Sequence, residues 1–170
     1  MIDGIVSAPD GSATKVANTS KTFSATNTTT AVPIFGITGD VRILRMWGVV
    51  TTAIGVNHTA AYFRLNDQTA QVAITAAAGT TLSALPVGSK IVKTALAAVA
   101  VTKTSSAVGA IVEPAAAGSL IASEFAVLKK AGAVTNIEYV YSTTDSPTTG
   151  AMQFFCEWQL RSADGNVTPQ

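Results

Sequence analysis

The sequence predicts an all-β protein: an antiparallel β-sandwich or jelly roll with an extended N-terminal arm. Three observations lead there. Short runs rich in Val, Ile, Thr and aromatic residues, roughly nine or ten of them, alternate with Gly, Pro, Asn and Asp turn signals. Between Met152 and Leu160 the large side chains occupy every second position, which marks a strand with one buried face. The chain also lacks βαβ alternation, heptads and any repeat of solenoid length.

With 170 residues the chain is one domain with arms. Residues 1–30 are rich in Ser, Thr, Asn and Gly and poor in large apolar groups, so they read as an extended arm with a short strand around Lys21 to Ala25. The sandwich spans residues 31–161, and residues 162–170 read as a polar tail.

Thr28 to Ile37 is β-branched and aromatic, with Pro33 marking an edge or a bulge. Gly36 to Asp40 reads as a turn. Val41 to Thr52 is a long strand. Strict alternation places Val41, Ile43, Arg45, Trp47 and Val49 on one face, with Arg42, Leu44, Met46, Gly48 and Val50 on the other. Both faces are largely apolar, so a central strand covered on both sides is expected.

Ala60 to Leu65, the turn Asn66-Asp67, and Thr69 to Thr75 form a β-hairpin. Thr80 to Leu85 and Ser89 to Thr94 are shorter strands around Pro86-Val87-Gly88. Ala95 to Val112 fits a helix by its alanines and a strand by its Val/Thr alternation. Leu120 to Leu128, Asn136 to Thr143 and Ala151 to Arg161 are strands, with a turn from Asp145 to Gly150 before the last.

Hydrophobic residues make up 48% of the chain, enough for a core. Much of this is alanine, which buries little area, so the core depends on a smaller set of large side chains and neighbours should cover more of the surface. The large residues concentrate in Val41 to Val50 and Met152 to Leu160. A net charge of +1 and a pI near 7.9 give no basic patch for nucleic acid. The apolar window Ile91 to Val112 is interrupted by Lys93 and Lys103 and does not read as a membrane span. The start, Met1 to Ser7, lacks the basic and apolar regions of a signal peptide, so cytoplasmic synthesis is expected.

Charged residues fill only 12% of positions, and there is one histidine and one cysteine. His58 stands in a loop-like segment without a second histidine to share a metal. Cys156 lies in an apolar run and reads as a small buried hydrophobe. The carboxylates are dispersed, several of them at turns, and no Gly-rich phosphate cradle or nucleophile elbow occurs. No catalytic, cofactor or metal site is expected, and the chain reads as a non-enzyme.

Candidate interface residues are Arg42, Arg45 and Trp47 on one strand, and Tyr139 and Tyr141 on another. Arg and Trp are enriched at interface hot spots. The competing reading places Trp47 in the core with the arginines snorkelling from the sheet. Tyr139 and Tyr141 share a face with Ile137 and fit either core or interface.

A small Ala- and Thr-rich β-domain with arm-like ends and little chemistry resembles the accessory structural proteins of tailed-bacteriophage virions. Capsid decoration (cement) proteins and head-fibre bases are the nearest comparison. That resemblance implies a non-enzymatic virion protein that stabilises a head by lattice contacts. It further implies a homotrimer and a major capsid or other virion protein as partner. The alternatives are another virion component (head fibre, tail or capsid subunit) or a carbohydrate-binding β-sandwich.

Overall fold

The computed structural model describes residues 13–24, 28–68, 70–78, 82–93, 102–104, 124–128, 135–143 and 149–170. In chain order the strands are β1 (Lys15–Thr22), β2 (Thr29–Thr38), β3 (Val41–Thr52), β4 (His58–Asn66), β5 (Gln71–Ala73) and β6 (Lys90–Val92). They continue with β7 (Thr102–Thr104), β8 (Phe125–Val127), β9 (Thr135–Thr143), β10 (Ala151–Leu160) and β11 (Asn166–Pro169). They form two antiparallel sheets packed face to face as a β-sandwich, with no helix among the described residues. The first sheet runs β1-β10-β3-β6-β7, with β8 also paired to β3. The second runs β11-β2-β9-β4-β5.

The core is built where the sequence concentrates its large side chains. β10 turns Met152, Phe154, Cys156 and Trp158 inward, as the alternation predicts. Each large side chain fully buried this way contributes about 1.5–3 kcal/mol. Gly48 of β3 lies opposite Phe154. A Cβ there would sit 3.2 Å from the Phe154 ring and 3.1 Å from Ile91, so the missing side chain is what seats the ring. From the second sheet Phe35, Ile37, Phe63, Ile137, Tyr139 and Tyr141 complete the core.

β3 departs from strict alternation. Its pairing with β10 skips Leu44: Arg45 faces Glu157 while Ile43 faces Trp158. This β-bulge reverses the parity of the strand. Val41 and Ile43 point inward before it, and Met46, Gly48 and Val50 point inward after it. The expected grouping of Arg45 and Trp47 with Val41 and Ile43 is therefore wrong, because alternation counts every residue and a bulge leaves one uncounted.

The two ends also differ from expectation. Residues 15–22, assigned to an arm, form β1 and pair along their full length with β10. The sequence hides this because the strand lies at the sheet edge and buries only Ala17 deeply. The polar tail contains β11, which pairs with β2 and buries Val167. Thr19 Oγ1 and Lys21 Nζ of β1 donate to the Gln170 backbone oxygen, at 2.9 and 2.6 Å, tying the two sheet edges together.

The expected hairpin is β4–β5, and Pro33 does mark a bulge in β2. Residues 82–84 form a turn rather than part of a strand. In the ambiguous stretch Ala95 to Val112, residues 102–104 are strand and the others lie outside the described residues.

Candidate functional site

The bulge at Leu44 gathers the β3 candidates onto one surface. Arg42 points outward before it, and Arg45 and Trp47 after it, so all three share the outer face of the first sheet. Each is held by a neighbour. Arg42 forms an ion pair with Glu124. Arg45 grips Glu157 directly across the strand pair with two hydrogen bonds, Nε to Oε2 at 2.6 Å and Nη2 to Oε1 at 3.0 Å. Trp47 stacks on Phe155, with centroids 5.1 Å apart and planes 6° from parallel. Near-parallel rings at this separation are offset-stacked, an arrangement worth about 0.5–1.5 kcal/mol beyond burial. On its other side Trp47 faces Val92 of β6. The half-buried aromatic pair is thus rimmed by Arg45, Glu157, Val49 and Gln153, and Gln153 donates to Asn18 of β1 at 3.3 Å.

Tyr139 and Tyr141 are elsewhere. Both are fully buried between the sheets, which removes them from any surface of the folded chain. Their alternation with Ile137 belongs to the inner face of β9. They enclose His58, which is not a loop residue: it opens β4 and is fully buried. Its ring stacks on Tyr141 at 4.6 Å and 12°, and Phe23 lies 5.0 Å away. His58 Nε2 shares a 2.8 Å hydrogen bond with the Tyr139 hydroxyl, while Nδ1 is buried without a partner. Burial lowers the His58 pKa to about 4 and raises that of Tyr139, with Tyr141 adding to the rise.

The outer face of the second sheet carries a polar network that sequence reasoning missed. Arg64 Nε donates to Glu138 Oε2 at 2.6 Å, and Arg64 Nη1 donates to Gln71 Oε1 at 2.6 Å. Asn66 Nδ2 donates to Glu138 Oε1 at 2.9 Å. Arg64, Asn66 and Glu138 lie on one face because β4 and β9 pair Arg64 with Glu138 and Asn66 with Asn136. The i, i+2 spacing of Arg64 and Asn66 was the available signal, but the partner lies 74 positions from Arg64 and no local pattern links them.

These groups are spent on structure. The described glutamates, Glu124, Glu138 and Glu157, each pair with an arginine. Burial, with Glu157 adding to it, pushes the Cys156 thiol up to about 12, where it is a poor nucleophile. Lys93 is buried with its ammonium 5.4 Å over the Phe125 ring, and burial lowers its pKa. Among the described residues no three His, Cys, Asp or Glu side chains gather as a metal site. A cavity of about 60 Å³ lies among Leu65, Asp67, Ala70, Val72, Leu128 and Thr135. That is well below the roughly 300 Å³ at which small-molecule pockets begin. No helix among the described residues is long and apolar enough to cross a membrane.

The surface that remains as a candidate site is the Arg42–Arg45–Trp47–Phe155 face of the first sheet. No protein-family model, curated protein or solved structure matches this chain.

Proposed function

We propose that this chain is a non-enzymatic structural protein of a tailed-phage virion, of the capsid decoration (cement) type. In this reading copies of the chain associate through the outer face of the first sheet into a homo-oligomer, with a trimer as the expected state, and the oligomer binds a capsid lattice with the avidity that several linked copies supply. The observation that carries the reading is the convergence of Arg42, Arg45 and Trp47 beside Phe155 on one regular sheet face. Two arginines and a tryptophan, pre-ordered by cross-strand partners, make a surface that loses little side-chain entropy on docking. The partners are further copies of the chain and a major capsid or other virion protein, and the location is the virion.

The test is co-sedimentation with phage heads that lack their decoration protein. The chain should bind them and raise their resistance to heat or chelation, and Trp47→Ala should bind at least tenfold more weakly. Heads that neither bind the chain nor gain resistance from it would refute the reading.

A carbohydrate-binding sandwich is the second reading, favoured by the outward position of Trp47. Against it, one face of the indole is taken by Phe155, whereas a sugar stacks on an open ring face. Glycan binding by the free protein that is lost in Trp47→Ala would support this alternative.

A further inference from the structure

We infer that His58 is an acid-sensitive latch: its protonation expels the Phe23 ring and frees the adjoining end of β1 from the sandwich.

The imidazole sits in a cage of aromatic rings drawn from both halves of the molecule. Tyr139 and Tyr141 come from β9 in the middle of the second sheet, and Phe23 follows β1 at the edge of the first. Among the described residues, the titratable groups stacked on the ring are the two β9 phenols, both neutral at physiological and acid pH. The Phe23 side brings an aromatic ring only. A neutral His58 carries one N–H donor and one acceptor nitrogen and no charge, and its Nε2 is paired with the Tyr139 hydroxyl. An imidazolium carries two N–H donors and a full charge. Its second donor, on Nδ1, would be buried without an acceptor. Stacking on Tyr141 returns only part of the hydration that the charged ring gives up, so the protonated form must reach water.

The way to water is set by which wall of the cage is held least. β9 is flanked on both sides, by β2 and β4. Among the described residues β1 has one paired neighbour, β10, and within residues 13–24 only Ala17 and Phe23 are buried. Phe23 is therefore the one large buried side chain of this segment, which is otherwise held by the exposed bonds of Thr19 and Lys21 to Gln170 and by the Phe23 N–H on the Gly150 oxygen at 2.8 Å. Moving Phe23 breaks that bond and opens the cage, whereas moving Tyr139 or Tyr141 would break the centre of a sheet.

Because the chain has a single histidine, its titration can be read without ambiguity. The full chain, labelled with ¹⁵N and ¹³C, is titrated from pH 7.5 to 3.5 while hydrogen exchange is followed as protection factors, which removes the intrinsic pH dependence of exchange. His58 should stay neutral well below the ordinary histidine range. As it protonates, protection at residues 21–24 should fall at least tenfold while residues 137–141 keep theirs. In His58→Gln, which carries an amide and no titratable proton, that acid step should vanish. The inference is overturned if His58 titrates near pH 6.5 with residues 21–24 still protected, or if His58→Gln loses protection at the same pH as the parent. Should His58→Gln not fold, the parent decides alone: coincident midpoints for His58 and residues 21–24 support the latch, and separate midpoints overturn it.

Discussion

Arg45–Glu157 and Arg64–Glu138 are the same interaction placed on two sheets. Each joins residues directly opposite on antiparallel strands, and each has Nε to Oε2 at 2.6 Å. Their surroundings differ. The Arg45 and Glu157 side chains are 62% and 17% exposed, while Arg64 and Glu138 are 15% and 7% exposed. Water and salt screen the first pair, so it contributes about 0–1 kcal/mol. The second pair is largely dry, and Asn66 and Gln71 take up further donors and acceptors. There the cost of dehydration is offset only while the network stays complete. The outer face of the second sheet is thus closed on itself. On the first sheet, Arg45 keeps solvent-facing hydrogen-bonding capacity beside an aromatic pair and remains available to a partner.

Breaking the dry pair should have the largest effect. Glu138→Ala leaves the Arg64 guanidinium without its counter-charge and should cost about 3–5 kcal/mol in denaturant unfolding. The contrast between the pairs fails if this loss is no larger than that of Glu157→Ala.

Acid probes the same low-dielectric argument at a single group. His58 is neutral in the native state, with its pKa lowered to about 4, against about 6.5 when unfolded. Between these values the unfolded chain binds the extra proton. Stability is therefore full above pH 6.5 and falls as the pH drops towards 4, by about 3 kcal/mol in total. Urea midpoints measured across this range, in the parent and in His58→Gln, isolate the contribution.

Trp47→Ala should be milder for the fold. Losing a half-buried ring and its stack on Phe155 should lower stability by about 1–2 kcal/mol, read from the shift in thermal midpoint. The smallest effect belongs to Arg45→Ala, at about 0.5 kcal/mol in low salt and nothing measurable in 1 M NaCl. A large, salt-insensitive loss there would show that the first sheet's pair is as dry as the second's.

Much of the fold was legible because inward positions on β10 and β9 follow period two, as do those of β4 from Ala61 onward, past its bulge between Thr59 and Tyr62. What escaped has physical causes. The bulge at Leu44 is one extra residue in β3 with no local signature, yet it decides that Arg42 joins Arg45 and Trp47. β1 was read as an arm because an edge strand need bury only Ala17. His58 looked like a loop residue because the rings that enclose it arrive from residues 23, 139 and 141. The Arg64–Glu138 network was invisible for the same reason. Of the residues singled out by type, Arg42, Arg45 and Trp47 lie together on the outer face of the first sheet, whereas Tyr139 and Tyr141 point into the core.

We propose above that the outer face of the first sheet is the surface through which copies of the chain assemble. Sedimentation equilibrium of the full chain and of Trp47→Ala, with folding confirmed in both, tests it most directly. A homo-oligomer with the mass of a trimer is expected for the parent, and a folded monomer for Trp47→Ala. A parent that stays monomeric at high concentration, or a variant with the parent's mass, would contradict it.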